Sequence, residues 1–279
     1  MSLKTGMVRN PSILNSKVIS FCDYILKIMT NFRHQLKKVI RKMFPKFYGF
    51  VANKKHFSKN DNSKSLIYIH IGKCGGSTLL DSLKNSSVVN EKFSYIHRIH
   101  VEKPPILKNA SYAVVVRNPI QRVISAFNWR FKLVVIEKNR GSHIEYEILN
   151  KYKTLNALCE QLYVDGKLNI KVSNEFEKIG HIKESISFYL KPLLDEISPS
   201  QLFAVFAAET LNKDIANILS LKNELHLNQN THTASDDKKF LSKKAYCYLK
   251  TYLSDDYLYL SKLLIISKTS NTCKNILLR

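Results

Sequence analysis

Acidic residues are scarce in this chain: 22 Asp and Glu stand against 44 Lys and Arg in 279 residues, a formal charge of +22. Such an excess draws a protein toward nucleic acid, anionic lipid or an acidic polymer, and charge alone does not choose among them. Cysteines are few and scattered: Cys22, Cys74, Cys159, Cys247 and Cys273 form no C-x-x-C pair. Neither a zinc site nor a disulfide framework is suggested, and a reducing compartment is expected. No long clean apolar run exists near the start, because Lys17, Asp23 and Lys27 interrupt residues 13–29. That excludes a membrane span or a good signal peptide there. No zinc-finger pattern, RNP-like aromatic motif, convincing helix-turn-helix or internal repeat is present, so nucleic acid is not the expected partner. No metal-ligand cluster appears, and no metal is expected.

What is present suffices for one large core or one domain with appendages, with 44% apolar residues. The charge is uneven. Residues 1–60 hold thirteen Lys and Arg against Asp23, a net +12, which leaves +10 for residues 61–279. Leu14, Val18, Phe21, Ile25, Ile28, Phe32, Leu36, Val39 and Met43 recur at steps of mostly three and four, opposite a basic face. This pattern over 13–44 predicts an amphipathic helix ended by Pro45 and Gly49. It suits peripheral contact with an anionic membrane, or packing on the rest of the chain or on a partner chain. Residues 52–65, rich in Asn, Lys and Ser, read as a linker, so the expected division is 1–60 and 61–279.

The second part is organised around LIYIHIGKCGGSTLLDSL, Leu66 to Leu83. Leu66–Ile71 is a short apolar run interrupted by His70, the pattern of a strand buried on both faces of a parallel sheet. Gly72, Gly75 and Gly76 break it, and a helix opens at Ser77 and Thr78. Strand, glycine turn and helix N-terminus gather free backbone N–H groups around one point, which suits a phosphate. A Walker A loop carries its lysine after the last glycine. Here Lys73 precedes the glycine pair and would meet a ligand at the end of the phosphate chain where a group leaves.

Tyr112–Val116 is a second buried strand, followed by RNPIQRVISAF. Pro119 suits the first turn of a helix, and Ile120, Val123, Ile124 and Phe127 give that helix an apolar face. Arg117 at the strand end and Ser125 two turns into the helix lie where ligands of open α/β folds bind. Leu202–Ala207 is a third strand, Phe93–Val101 contains another, and helices are expected at 154–163, 186–194, 213–219, 238–253 and 255–266. Asn85–Asn90 and Asn228–Asp237 read as polar loops, and 131–181, apart from the helix at 154–163, as an insertion covering an acceptor. The alternation predicts an α/β fold of three layers, α/β/α, with a central parallel sheet.

The order K-x-G-G-[ST]-T, with V-R-N-P-x-x-R-x-x-S-x-F about forty residues on, resembles the two nucleotide-binding elements of sulfotransferases that use 3′-phosphoadenosine 5′-phosphosulfate (PAPS). The chain is most similar to the uronyl 2-O-type carbohydrate sulfotransferases with a P-loop-like fold. The resemblance implies that Lys73, Cys74, Gly75, Gly76, Ser77 and Thr78 form the 5′-phosphosulfate loop, with Lys73 catalytic. It assigns Arg117 and Ser125 to the 3′-phosphate, where a guanidinium gives parallel hydrogen bonds. It places the general base in a His-x-His element just after the second strand: His100, with His97 second. The family has His-Gly-His; here the stretch is His97-Arg98-Ile99-His100. Other departures are Gly72 for the family's proline, Cys74 for a small polar residue (its thiol expected to be inert), and Asn118 for aspartate. Lys238, Lys239, Lys243 and Lys244 are secondary phosphate-contact candidates, Arg122 is expected to be solvated or paired with an acid, and His70 to pack or tune the loop.

PAPS is therefore the expected donor and a carbohydrate hydroxyl, in an anionic glycan, the expected acceptor. Animal Golgi members carry an N-terminal anchor, and its lack points toward a bacterial protein in the cytoplasm or on the inner face of its membrane. Two other classes compete: a P-loop kinase or NTPase, with Glu209 as its one acidic candidate for Mg²⁺, and a non-enzymatic basic nucleic-acid- or membrane-surface protein.

Overall fold

The computed structural model describes residues 64–221, 239–267, 269 and 271–279. The expected helix over 13–44, most of the linker, the loop 228–237 and Lys238 lie outside the described residues.

Strand β1 (Ser65–His70) is buried along its whole length. Helices α1 (Gly76–Asn85) and α2 (Ser87–Lys92) lead to β2 (Tyr95–Ile99), which lies parallel to β1. The stretch read as a polar turn at 85–90 is thus partly helical, because the Ser86 side chain accepts the Val89 N–H and caps α2. Strand β3 (Ser111–Val116) pairs parallel on the other side of β1 and feeds α3 (Pro119–Phe131), which continues as a π turn over Lys132–Ile136. Asn118 caps α3 by accepting the Gln121 N–H, and Pro119 occupies the first turn, where its missing N–H costs nothing.

The insertion after α3 is ordered. It holds α4 (His143–Tyr152), the short α5 (Leu155–Cys159), a hairpin of β4 (Tyr163–Val164) and β5 (Lys167–Leu168), and α6 (Ile170–Phe176). The helix expected over 154–163 is only half as long, and its remainder turns into that hairpin. Helix α7 (Ile186–Leu194) precedes β6 (Leu202–Ala207), which pairs parallel with β3 and leads to α8 (Leu211–Leu219). Helices α9 (Lys243–Tyr252), α10 (Ser254–Ile266) and α11 (Asn271–Leu278) follow, the last of them unanticipated. Asp256 of α10 is buried and accepts the N–H groups of Ile186 and Ser187, so it pins the start of α7.

The main sheet is four parallel strands in the order β2-β1-β3-β6, flanked by helices. Helices α1, α2 and α8 pack together, while α3 packs with α4 and α5. Right-handed connections explain the two groups: β1 to β2 crosses the sheet one way and β3 to β6 the other, so their helices cover opposite faces. The chain reverses direction between β1 and β3. Their carboxyl ends flank the one crevice that such a reversal opens. Among the described residues no helix is long and apolar enough to cross a membrane.

Candidate active site

The crevice is a cleft of about 970 Å³ at the carboxyl ends of β1 and β3. Its floor is the glycine loop. Gly75 has φ 80°, a conformation that glycine adopts without strain, and a β-carbon there would lie 2.8 Å from Cδ2 of Leu211. Gly76 passes so close to the His70 ring that a β-carbon would fall 2.3 Å from it. Tyr68 donates its hydroxyl to the Gly76 carbonyl at 2.8 Å. Helix α1 opens with no side-chain cap and no acidic residue in its first turn. Its first N–H groups and the positive end of its dipole face the cleft, beside Ser77 and Thr78.

Arg117 ties the second element to this loop: its Nη1 donates to the Lys73 carbonyl at 3.2 Å. Glu209, at the end of β6, accepts the Asn118 N–H at 3.0 Å and lies 4.0 Å from Arg117 Nε. Ser125 and Trp129, one turn apart on α3, line the same cleft, and the Lys73 ammonium sits 4.8 Å from the centre of the Trp129 ring. Burial and the neighbouring Arg117 charge lower the Lys73 pKa to about 8. The departure at Asn118 has a physical reason. Its Nδ2 donates to the Leu277 carbonyl at 3.1 Å, which an aspartate carboxylate could not do.

Arg122 corrects an expectation. It is only 1% exposed and pairs with no acid among the described residues; its Nε donates to the Gly72 carbonyl at 3.1 Å and its Nη2 to the carbonyls of His181 and Glu184. A guanidinium carries five donors in a fixed fork, so one buried side chain can bond three carbonyls and join two backbone segments, the glycine loop and the turn at 181–184.

Three imidazoles line the cleft. His100 Nδ1 is 3.1 Å from the His70 carbonyl oxygen. A carbonyl can only accept, so Nδ1 carries a proton, and in the neutral ring the lone pair is then on Nε2, the tautomer a proton acceptor needs. The His70 and His100 rings are 4.6 Å apart, and those of His100 and His181 are 6.0 Å apart. Burial, with the His100, Arg98 and His181 charges, lowers the His70 pKa to about 3. Burial and then the Lys73 charge lower that of His181 to about 4.

The cleft thus gathers Lys73, Gly75, Gly76, Ser77, Thr78, Arg117, Ser125 and His100. It does not gather all the candidates. Cys74 is fully buried, its Sγ directed at the Gly72 carbonyl and its pKa pushed up to about 12 by burial, so only its backbone belongs to the loop. His97 points to the opposite face of β2 from His100, stacked near Tyr95. Lys239, Lys243 and Lys244 are not among the lining residues, and Lys244 lies over Tyr248. In their place stand Arg98, Lys213, Trp129 and His181. Strand alternation puts Arg98 on the face of His100, and helical spacing puts Trp129 beside Ser125, so both were readable from the sequence. His181 arrives from the insertion, and no local pattern signals it.

No protein-family model, no curated protein and no solved structure matches this chain. The fold and the cleft chemistry therefore carry the functional reading.

Proposed function

We propose that this cleft is the active site of an O-sulfotransferase that moves the sulfuryl group of PAPS to a hydroxyl of a carbohydrate, in an anionic glycan. The observation that carries the reading is the hydrogen bond from Arg117 to the Lys73 carbonyl. It joins the two anion-binding elements at one point, with a correctly tautomerised imidazole, His100, in the same cleft. The groups assigned to the nucleotide are cations or hydrogen-bond donors, which suits phosphates at both of its ends, and Glu209 is the one acidic residue among the described residues that line the cleft.

In this reading Arg117 and Ser125 hold the 3′-phosphate. Lys73, the helix α1 N–H groups and the hydroxyls of Ser77 and Thr78 hold the 5′-phosphate and stabilise the charge it gains as it leaves. PAPS supplies the activated sulfuryl group. The new oxygen–sulfur bond forms as the phosphate–sulfur bridge breaks, the electron pair stays on the phosphate, and His100 Nε2 takes the hydroxyl proton. Arg98 and Lys213 on the cleft wall favour an acceptor with negative charge.

The test is calorimetric titration of the protein with adenosine 3′,5′-bisphosphate and, in parallel, ATP–Mg²⁺, using wild type and Arg117→Ala. The expected result is bisphosphate binding weakened at least tenfold by the substitution, roughly the cost of losing a charge-assisted bond, with no ATP–Mg²⁺ binding. Binding of ATP–Mg²⁺ without the bisphosphate would overturn the reading in favour of a kinase.

A further inference from the structure

The turn at Gly180–Glu184 is held against the glycine loop from two sides. The Gly180 N–H donates to Glu145 Oε1 at 2.8 Å, and Glu145 is itself gripped by Arg130 through bonds of 2.7 and 2.6 Å. From the other side Arg122 takes the carbonyls of His181 and Glu184 while it holds Gly72. Between these two clamps His181 adopts φ 65°, a left-handed backbone that a non-glycine residue keeps only where its surroundings impose it. Its ring stands so close to the loop that a β-carbon at position 72 would lie 2.7 Å from Nδ1. The ring lines the cleft, next to Lys73 in charge and 6.0 Å from His100. It therefore shares the cleft with both the group assigned to the leaving phosphate and the group assigned to the attacking hydroxyl.

We propose that His181 is a further binding residue of the donor site, an imidazole that gives one N–H to the sulfuryl group of the bound donor. This rests on the sulfotransferase reading of the same cleft. Because the glycine at position 72 leaves the room that the imidazole fills, the two residues form one feature of this chain.

Wild type, His181→Gly and His181→Asn are titrated with PAPS and, separately, with adenosine 3′,5′-bisphosphate, which lacks the sulfuryl group. Glycine removes the ring and relaxes the backbone, so a loss of affinity cannot come from added strain; thermal melts check folding. The expected result for His181→Gly is a loss of about 3- to 10-fold for PAPS, the range of one hydrogen bond, with bisphosphate affinity unchanged. His181→Asn, which keeps a donor and tolerates a left-handed backbone, recovers part of the loss. Equal losses for both ligands, or no loss for either, overturn the assignment of His181 alone. Wild type that binds neither ligand overturns the sulfotransferase reading and this inference with it.

Discussion

A β-carbon at Gly72 would lie 2.7 Å from Nδ1 of His181, although 109 positions separate the two residues along the chain. Both sides of the contact are fixed, Gly72 and His181 each by a carbonyl bonded to Arg122. Gly72→Ala is therefore expected to cost about 1–3 kcal/mol, the range for overpacking. In a His181→Gly background most of that cost should vanish. A double-mutant cycle by urea denaturation measures the coupling, and additive effects would show that the contact is not made in solution.

Arg122 is the second point of failure. Arg122→Met leaves the carbonyls of Gly72, His181 and Glu184 without their donor. A loss of about 3 kcal/mol or more is expected, since each unsatisfied buried group costs about 1–3. Arg122→Lys should not restore it, because one ammonium cannot span the three carbonyls that a planar fork reaches. Thermal melts of both variants check this; a lysine variant as stable as wild type would refute the three-way role.

Anion binding should weaken as pH rises above 8. The free-state pKa of Lys73 is about 8, lowered by burial and Arg117, and a bound anion favours the charged form. Above pH 8 binding must take up a proton, so bisphosphate affinity should fall by up to about tenfold per pH unit. Lys73→Arg, charged throughout, should lose this dependence. Calorimetry between pH 7 and 9.5 in two buffers of different ionisation enthalpy reads the proton uptake directly.

The fold itself should be acid-sensitive. His70 ordinarily titrates at 6.5 but at about 3 in the folded chain, and His181 at about 4. Between those values the unfolded chain binds more protons, so stability is full above pH 6.5 and declines as pH falls toward 4 and 3. His70 alone should account for about 2 kcal/mol between pH 7 and pH 5. The urea midpoint should drop over that interval, and His70→Gln should flatten the drop. Equal midpoints at both pH values would refute it.

Legibility followed the range of the interactions. Strand β1, its glycine break and the start of α1 were readable because each depends on neighbours in sequence: an apolar run, residues free of a β-carbon, and a helix opening. The same holds for β3 and for Pro119 in the first turn of α3. Arg122, read as solvated or paired with an acid, was misread, since nothing near it in sequence shows that three distant carbonyls await it. The insertion resisted reading because its short α5 and two-residue strands lack the length over which periodicity shows.

The sequence by itself determined a parallel α/β fold and the residues of the two elements proposed to bind anions, because hydrophobic period and turn chemistry act over a few residues. Tertiary structure decided which histidines share the cleft, that Cys74 turns away, that His181 lines the cleft and that Trp129 lies against Lys73. Those depend on the order β2-β1-β3-β6, which brings the ends of β1 and β3 side by side, and on where a buried arginine finds its carbonyl partners. Proximity between segments more than a hundred positions apart is a property of packing, which no local pattern encodes.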